Sequence, residues 1–150
     1  MAHKGIVRPT NAVAMGNPMV QELEVITATN MIAGRHVQRD TTDNGIKVGD
    51  ASGNSIGWLG YEQANPEFKP VNPATAYAAN SMAPVLNGGN FYVVARLASG
   101  QNVVKGQPLT FAANGEVTAA TYGTHHVAAF AEESVDASGA AANILVRSMI

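Results

Sequence analysis

The sequence contains no cysteine, which excludes disulfide staples, zinc–thiolate sites and thiol catalysis. Charge is scarce. Asp, Glu, Lys and Arg make up 13% of the 150 residues, about half the usual share of roughly 25%. Solubility therefore does not rest on a dense coat of charge, and a surface this poor in charge suits a protein that lives against a partner. Basic runs are missing too. The net charge is −2 and the pI about 6.0, whereas nucleic-acid-binding domains usually show a basic patch or a pI above about 9. Arg35 and Arg39 stand isolated, and no nucleic-acid partner is expected. No apolar run approaches the roughly 18 residues that cross a bilayer, and the first ten residues, MAHKGIVRPT, hold no apolar core of signal-peptide length. The expectation is a protein made and kept in an aqueous compartment, with no membrane partner.

Four regions divide what is present. Residues 1–20 have weak periodicity, two prolines, two glycines, Lys4 and Arg8 but no acid. They read as an extended N-terminal arm, which could reach about 65–70 Å if fully stretched. Its apolar residues, Ile6, Val7, Val13, Met15, Met19 and Val20, favour packing on something. Residues 21–62 are β-type: ELEVITAT alternates, DNGIKV sets a turn before a strand, and Gly57 and Gly60 make a helix costly in GNSIGWLGYE. Residues 63–90 hold four of the seven prolines and read as a connector with one short strand, APVL, near its end. Residues 91–150 return to the β-type pattern with FYVVARL, NVVKGQPLTF, ANGEVTAA, HHVAAFAEESV and ANILVRSMI.

The two β-type regions repeat one another. NMIAG (Asn30–Gly34) matches NVVKG (Asn102–Gly106). Val37 and Leu109 each follow three residues after the glycine. Asn44-Gly45 answers Asn114-Gly115, Val48 answers Val117, and Gly53 answers Gly123. Then IGWLGYE (Ile56–Glu62) meets VAAFAEE (Val127–Glu133), with Trp58–Leu59 against Ala129–Phe130. An ordered set of this kind marks internal repetition. Asn-Gly pairs take φ > 0 cheaply and make tight hairpins, and one aromatic per copy supplies a large core filler. Each copy lacks a second layer, so two copies cover each other. The fold class predicted is all-β: a small sandwich or barrel of two pseudo-repeated units, 21–62 and 91–150, joined by the 63–90 connector and preceded by the 1–20 arm. Trp58, Leu59, Val94, Leu97, Val127, Phe130 and Ile144 are the expected core.

Few residues carry recognisable chemistry. His125 and His126 are adjacent and would diverge on a strand, so His3, His36, His125 and His126 are read as exposed turn residues rather than metal ligands. Glu132-Glu133 is read as a solvated pair at a strand end, since acid–base work needs two positioned groups with split pKa values. GNSIG places Ser55 in a G-x-S-x-G spelling, but between two strands rather than at a strand-to-helix elbow. NGGN (Asn87–Asn90) lacks the Lys-Ser/Thr of a phosphate loop. No catalytic residue, metal or cofactor is expected. Tyr61, Phe68 and Tyr77, at an element end or in the proline-rich middle, are the candidate contact aromatics.

The run LASGQNVVKGQPLTFAANGEVTAAT, followed by HHVAAFAEESVDASG and ANILV, resembles a cadence frequent in head decoration and capsid-stabilising proteins of tailed phages. That cadence is an apolar strand, then G-x-x-φ-x-K-G-x-x-φ, a short (D/N)-G-x-V hairpin, an apolar strand near φ-G-φ-A-x-E, a turn and a last strand. Residues 91–150 carry the likeness and 30–62 follow it more loosely. The resemblance implies a β-rich cement protein on the exterior of a phage head, assembled in the host cytoplasm. It further implies binding to the major capsid protein, bridging of neighbouring capsid subunits and self-association as a homotrimer. Lys4, Ile6, Val7, Arg8, Val13, Met15, Phe68 and Tyr77 are the contact residues that follow, with arm strand addition to a capsid sheet edge as the means. The alternatives are another virion module, of tail or fibre, and a carbohydrate- or small-ligand-binding β domain, which would need Trp58 exposed as a platform.

Overall fold

The computed structural model describes residues 13–61 and 70–150. Among them the chain is nearly all strand, with a single 3-10 turn at Ala113–Gly115. β1 (Val13–Met15) leads into β2 (Met19–Val25), β3 (His36–Arg39), β4 (Gly45–Val48), β5 (Ser55–Leu59) and β6 (Met82–Asn87). β2 to β6 close into a barrel in the order β2-β4-β3-β5-β6. The chain continues through β7 (Tyr92–Leu97), β8 (Gln101–Val103), β9 (Pro108–Phe111), β10 (Val117–Ala119), β11 (Ala129–Ala131), β12 (Val135–Ala137) and β13 (Ala142–Ser148). Here the order is β7-β10-β9-β11-β13, and β13 pairs back onto β7 to close a second ring. β8 and β12 form a separate two-stranded ribbon. Closure removes the open sheet edges that each half would otherwise present.

The two rings have the same topology. β2 pairs with β4 in parallel and with β6 antiparallel. β7 does the same with β10 and β13. The remaining pairs match strand for strand, β3–β4 with β9–β10, β3–β5 with β9–β11, and β5–β6 with β11–β13. The all-β fold of two pseudo-repeated units expected from the sequence is thus present, each unit closed as a small barrel. Its first unit is completed by β6, which lies in the stretch expected as connector.

Register corrects the sequence alignment at the closing strand. Val37 opposes Gly57 and Leu109 opposes Ala129. His36 opposes Trp58 as Pro108 opposes Phe130. Trp58 is thus the counterpart of Phe130, one place along from the Trp58–Ala129 match. A one-residue slip exchanges the faces of a strand, so the difference decides which side chains enter the barrels. Leu59 points into the first barrel with Leu23, Val25, Met31, Val37 and Ile46. Trp58 points out of it and joins the core of the second. The alternation of β7 buries Val93, Ala95 and Leu97, which leaves Val94, expected in the core, on the outer side and half-buried. Phe130 and Val127 are half-buried as well, whereas Leu97 and Ile144 are core residues as expected.

The hairpin turns differ between copies. Asn114 and Gly115 both have positive φ, 59° and 69°, the conformation an Asn-Gly turn supplies at little cost. In the first copy Gly45 already belongs to β4, and the turn is closed by its N–H donating to Thr42 O at 3.0 Å.

Candidate functional site

The barrels are joined by a polar and aromatic seam. Trp58 Nε1 donates to Ser148 Oγ at 2.8 Å in a buried contact. His36 lies beside it, its ring 4.9 Å from that of Phe111. His36 Nε2 lies 3.0 Å from Ala112 O and 2.9 Å from Glu116 O. Carbonyls only accept, so Nε2 carries the proton and Nδ1 accepts from the Ser55 hydroxyl. Burial pushes the His36 pKa down to about 4, although the two carbonyl bonds and the charge of Asp50 oppose the shift. Arg35 adds a 2.6 Å bond to Asn114 O and a 3.9 Å ion pair with Glu116. Burial also lowers the Arg35 pKa, with Glu116 opposing.

These contacts revise two readings of the sequence, those of His36 and Glu133. His36 is fully buried rather than an exposed turn residue, because its ring fills the seam and finds partners on the other barrel. His125 and His126 do lie exposed, in the turn before β11. Ser55 sits within bonding distance of a histidine, but both groups are engaged in the seam and His36 has no open face for a substrate. Glu133, expected in water, is buried and accepts from the Leu145 main-chain N–H at 2.9 Å. That bond ties the β11–β12 turn to β13. Glu132 instead faces Arg147 at 3.5 Å. Among the described residues no group of His, Asp and Glu gathers as a metal site.

The expected contact residues are scattered. Lys4, Ile6, Val7, Arg8 and Phe68 lie outside the described residues. Val13 and Met15 belong to β1, which pairs antiparallel with β7 opposite Val93 and Tyr92. This part of the expected arm therefore adds a strand to the protein's own second barrel, where its backbone groups find partners. Tyr77 is a core residue, not a contact surface. It is 1% exposed, and its hydroxyl donates to Gly60 O at 3.0 Å. Its N–H donates to Met31 O at 2.8 Å. In the second barrel Val135 takes the corresponding place against Val103, so the repeat itself draws Tyr77 inward.

A set of exposed apolar side chains escaped the sequence reading. Met19 is 70% exposed, Val20 58% and Met149 48%. Met19 and the Met149 main chain flank the β6–β7 turn, where a Cβ on Gly88 would lie 3.6 Å from the Met19 side chain and one on Gly89 3.6 Å from Met149 O, while Val20, next on β2, faces the other side of the strand. The signal was available. The alternation Leu23–Val25 extends back through Gln21 to Met19, so β2 begins inside the stretch expected as arm.

Comparison with known proteins places this architecture. The XM1 gp53 minor capsid protein family matches residues 4–148. The chain belongs to that family. It is accordingly a phage structural protein associated with the capsid. No curated protein matches it. Among solved structures it is similar to the head fiber gp8.5 N base of bacteriophage phi29, with a TM-score of 0.53 and 11% identity over 87% of this chain and 92% of that one. At that identity the likeness establishes the shared fold. In this minor capsid family member, then, the surface that matters is one for assembly. The candidate elements are the exposed Met19, Val20 and Met149, β1, and the outer faces of the two barrels.

Proposed function

We propose that the protein decorates the outside of a phage head, binding the major capsid protein, bridging neighbouring capsid subunits and so stabilising the shell as a cement protein. It acts as a homotrimer assembled in the host cytoplasm, with no catalytic step and no cofactor, nucleic acid or membrane partner. The observation that carries this reading is the family match across residues 4–148. It is supported by the low charge of the sequence and by the exposed apolar side chains of Met19, Val20 and Met149. Two closed barrels locked by a buried seam also make a body that can transmit load between two attachment points without unfolding.

The test is direct. Purified protein is mixed with heads that lack it, and the added density is located by electron cryomicroscopy. Density astride neighbouring capsid subunits on the outer surface supports the reading; density elsewhere, or none, counts against it.

A second reading is favoured by one observation, the likeness to a head fiber base. On that reading the two-barrel body anchors a fibre rather than cementing the shell. The same images separate the two, since a base carries a projecting density and a cement subunit does not. The sugar-binding alternative required an exposed Trp58, and that side chain is buried.

A further inference from the structure

The joint between the barrels has two parts, a plug and a mouth. The plug is Trp58, outward on β5 and paired with Leu86 on β6. The mouth is the end of the second barrel where Phe91, Phe111 and Ser148 meet, all within 5% exposure beneath the indole. Because the barrels share their register, each part has a counterpart in the other barrel. The plug's counterpart is Phe130, paired with Arg147 as Trp58 is with Leu86. It is half-buried and carries the Arg147 guanidinium 5.3 Å from its ring centre.

The mouth's counterpart is the end of the first barrel. Met19 opposes Asn87 there, as Phe91 lies beside Ser148 with its carbonyl accepting from the Ser148 N–H at 2.8 Å. Arg39 opposes Ile46 where Phe111 opposes Val117. Met19, Gln21 and Arg39 are all exposed, although Met19 and Gln21 share the inward alternation of Leu23 and Val25. Among the described residues, the chain thus presents a second plug, half-covered by Arg147, and an exposed second mouth for the joint that Trp58 makes.

We propose that a second copy of this chain seats its Phe130 face in the open mouth formed by Met19, Gln21, Arg39 and Asn87, repeating between subunits the joint that Trp58 makes within one. The substitutions suit this role. Methionine adapts its shape to an incoming ring, and Arg39 can lie over an aromatic face. Phenylalanine has no indole N–H, so the place of Ser148 needs no dedicated acceptor. Such a contact is head-to-tail, so it either closes into a ring or continues as a filament. Three copies would close as six alternating barrels. The proposal rests on the self-association part of the function proposed above and is independent of capsid binding.

The experiment uses the full chain without capsid. Sedimentation and light scattering should find the wild type associated. Phe130→Asp and Met19→Glu, each removing one half of the joint, should weaken association at least ~10-fold, while Val104→Asp, on an exposed loop, should not. Mixing Phe130→Asp with Met19→Glu should restore a one-to-one pair, because one variant keeps a mouth and the other a plug. Trp58 emission reports that each variant is folded. Met19 is exposed enough that its substitution keeps the test open should Phe130→Asp fail to fold. A wild type that stays monomeric sinks both this proposal and the homotrimer reading. An associated wild type whose mass survives both variants, or variants that do not pair on mixing, overturns the proposal alone.

Discussion

Trp58 and Ser148, 90 residues apart in sequence, meet in a 2.8 Å hydrogen bond that pins the first barrel to the mouth of the second. The same Ser148 Oγ donates to Ile150 O at 2.7 Å and accepts from the Ile150 N–H at 3.1 Å, so the indole is held by a hydroxyl that is itself fixed. Trp58→Phe removes the bond and leaves a partial void, and should cost about 2 kcal/mol. Trp58→Ala leaves a cavity and should cost about 3–5 kcal/mol. Urea unfolding followed by circular dichroism gives both values. The wild-type tryptophan emission should be blue-shifted and unresponsive to added sugars.

Gly34 packs tightly against the main chain of the second barrel. It sits at φ +90°, and a Cβ there would lie 2.3 Å from Val94 O, a main-chain atom that cannot swing aside. Gly34→Ala should therefore combine left-handed strain with a backbone clash and cost about 2–4 kcal/mol. Gly100, also at positive φ but with open space around its Cβ position, isolates the strain: Gly100→Ala should cost only about 1 kcal/mol. Equal effects of the two substitutions would show that the seam tolerates separation at Gly34.

Much of this architecture was legible. The Met31/Val103 and Val37/Leu109 correspondences are local signals, and they survive in the folded chain as equivalent positions, whereas the Asn-Gly pairs and Val48/Val117 do not, since Ile46 takes the place of Val117. The register of the closing strand was not legible, because small residues on both faces let IGWLGYE slide by one against VAAFAEE. The APVL strand was legible and is the heart of β6, but the prolines before it hid that it completes the first barrel, and the place of Tyr77 is set by Met31 across that barrel rather than by its proline-rich surroundings. His36 could not be read at all. Its burial depends on Ala112 and Glu116, whose carbonyls reach it only once both barrels have formed. The candidate assembly surface was the least legible, since it emerges from comparing what one barrel covers with what the other leaves open.

His36 makes the seam sensitive to acid. Its folded pKa of about 4 lies below the ordinary 6.5, so between those values the unfolded chain binds a proton that the folded chain does not. Stability contributed by the neutral imidazole is complete above about pH 6.5 and falls as pH drops toward 4. The loss amounts to about 3 kcal/mol over the window. Protonation would also turn the Nδ1 acceptor into a donor facing Ser55. Melting temperatures measured from pH 7 to pH 4 should fall, and His36→Gln, less stable at pH 7, should show a flatter profile in that range. A slope identical in both proteins would place the acid sensitivity elsewhere.

The N-terminal residues can now be divided by what they do for the fold. Val13–Met15 form β1 against β7, and Met19 and Val20 open β2, so removing residues 1–20 takes away structure as well as any contact surface. Removing residues 1–12 alone spares both strands. That shorter deletion should leave the melting temperature within a few degrees of the wild type, yet lower affinity for heads at least ~10-fold if Lys4, Ile6, Val7 and Arg8 grip the capsid. The longer deletion should lower stability in addition, because β7 loses the partner of Val93 and Tyr92 and β2 loses its first pairs with Asn87 and Leu86. Co-sedimentation with heads, set beside thermal melting of each truncation, separates the two contributions. Undiminished binding after removal of residues 1–12 would move the capsid contact onto the barrels themselves, with Met19, Val20 and Met149 as the next residues to substitute.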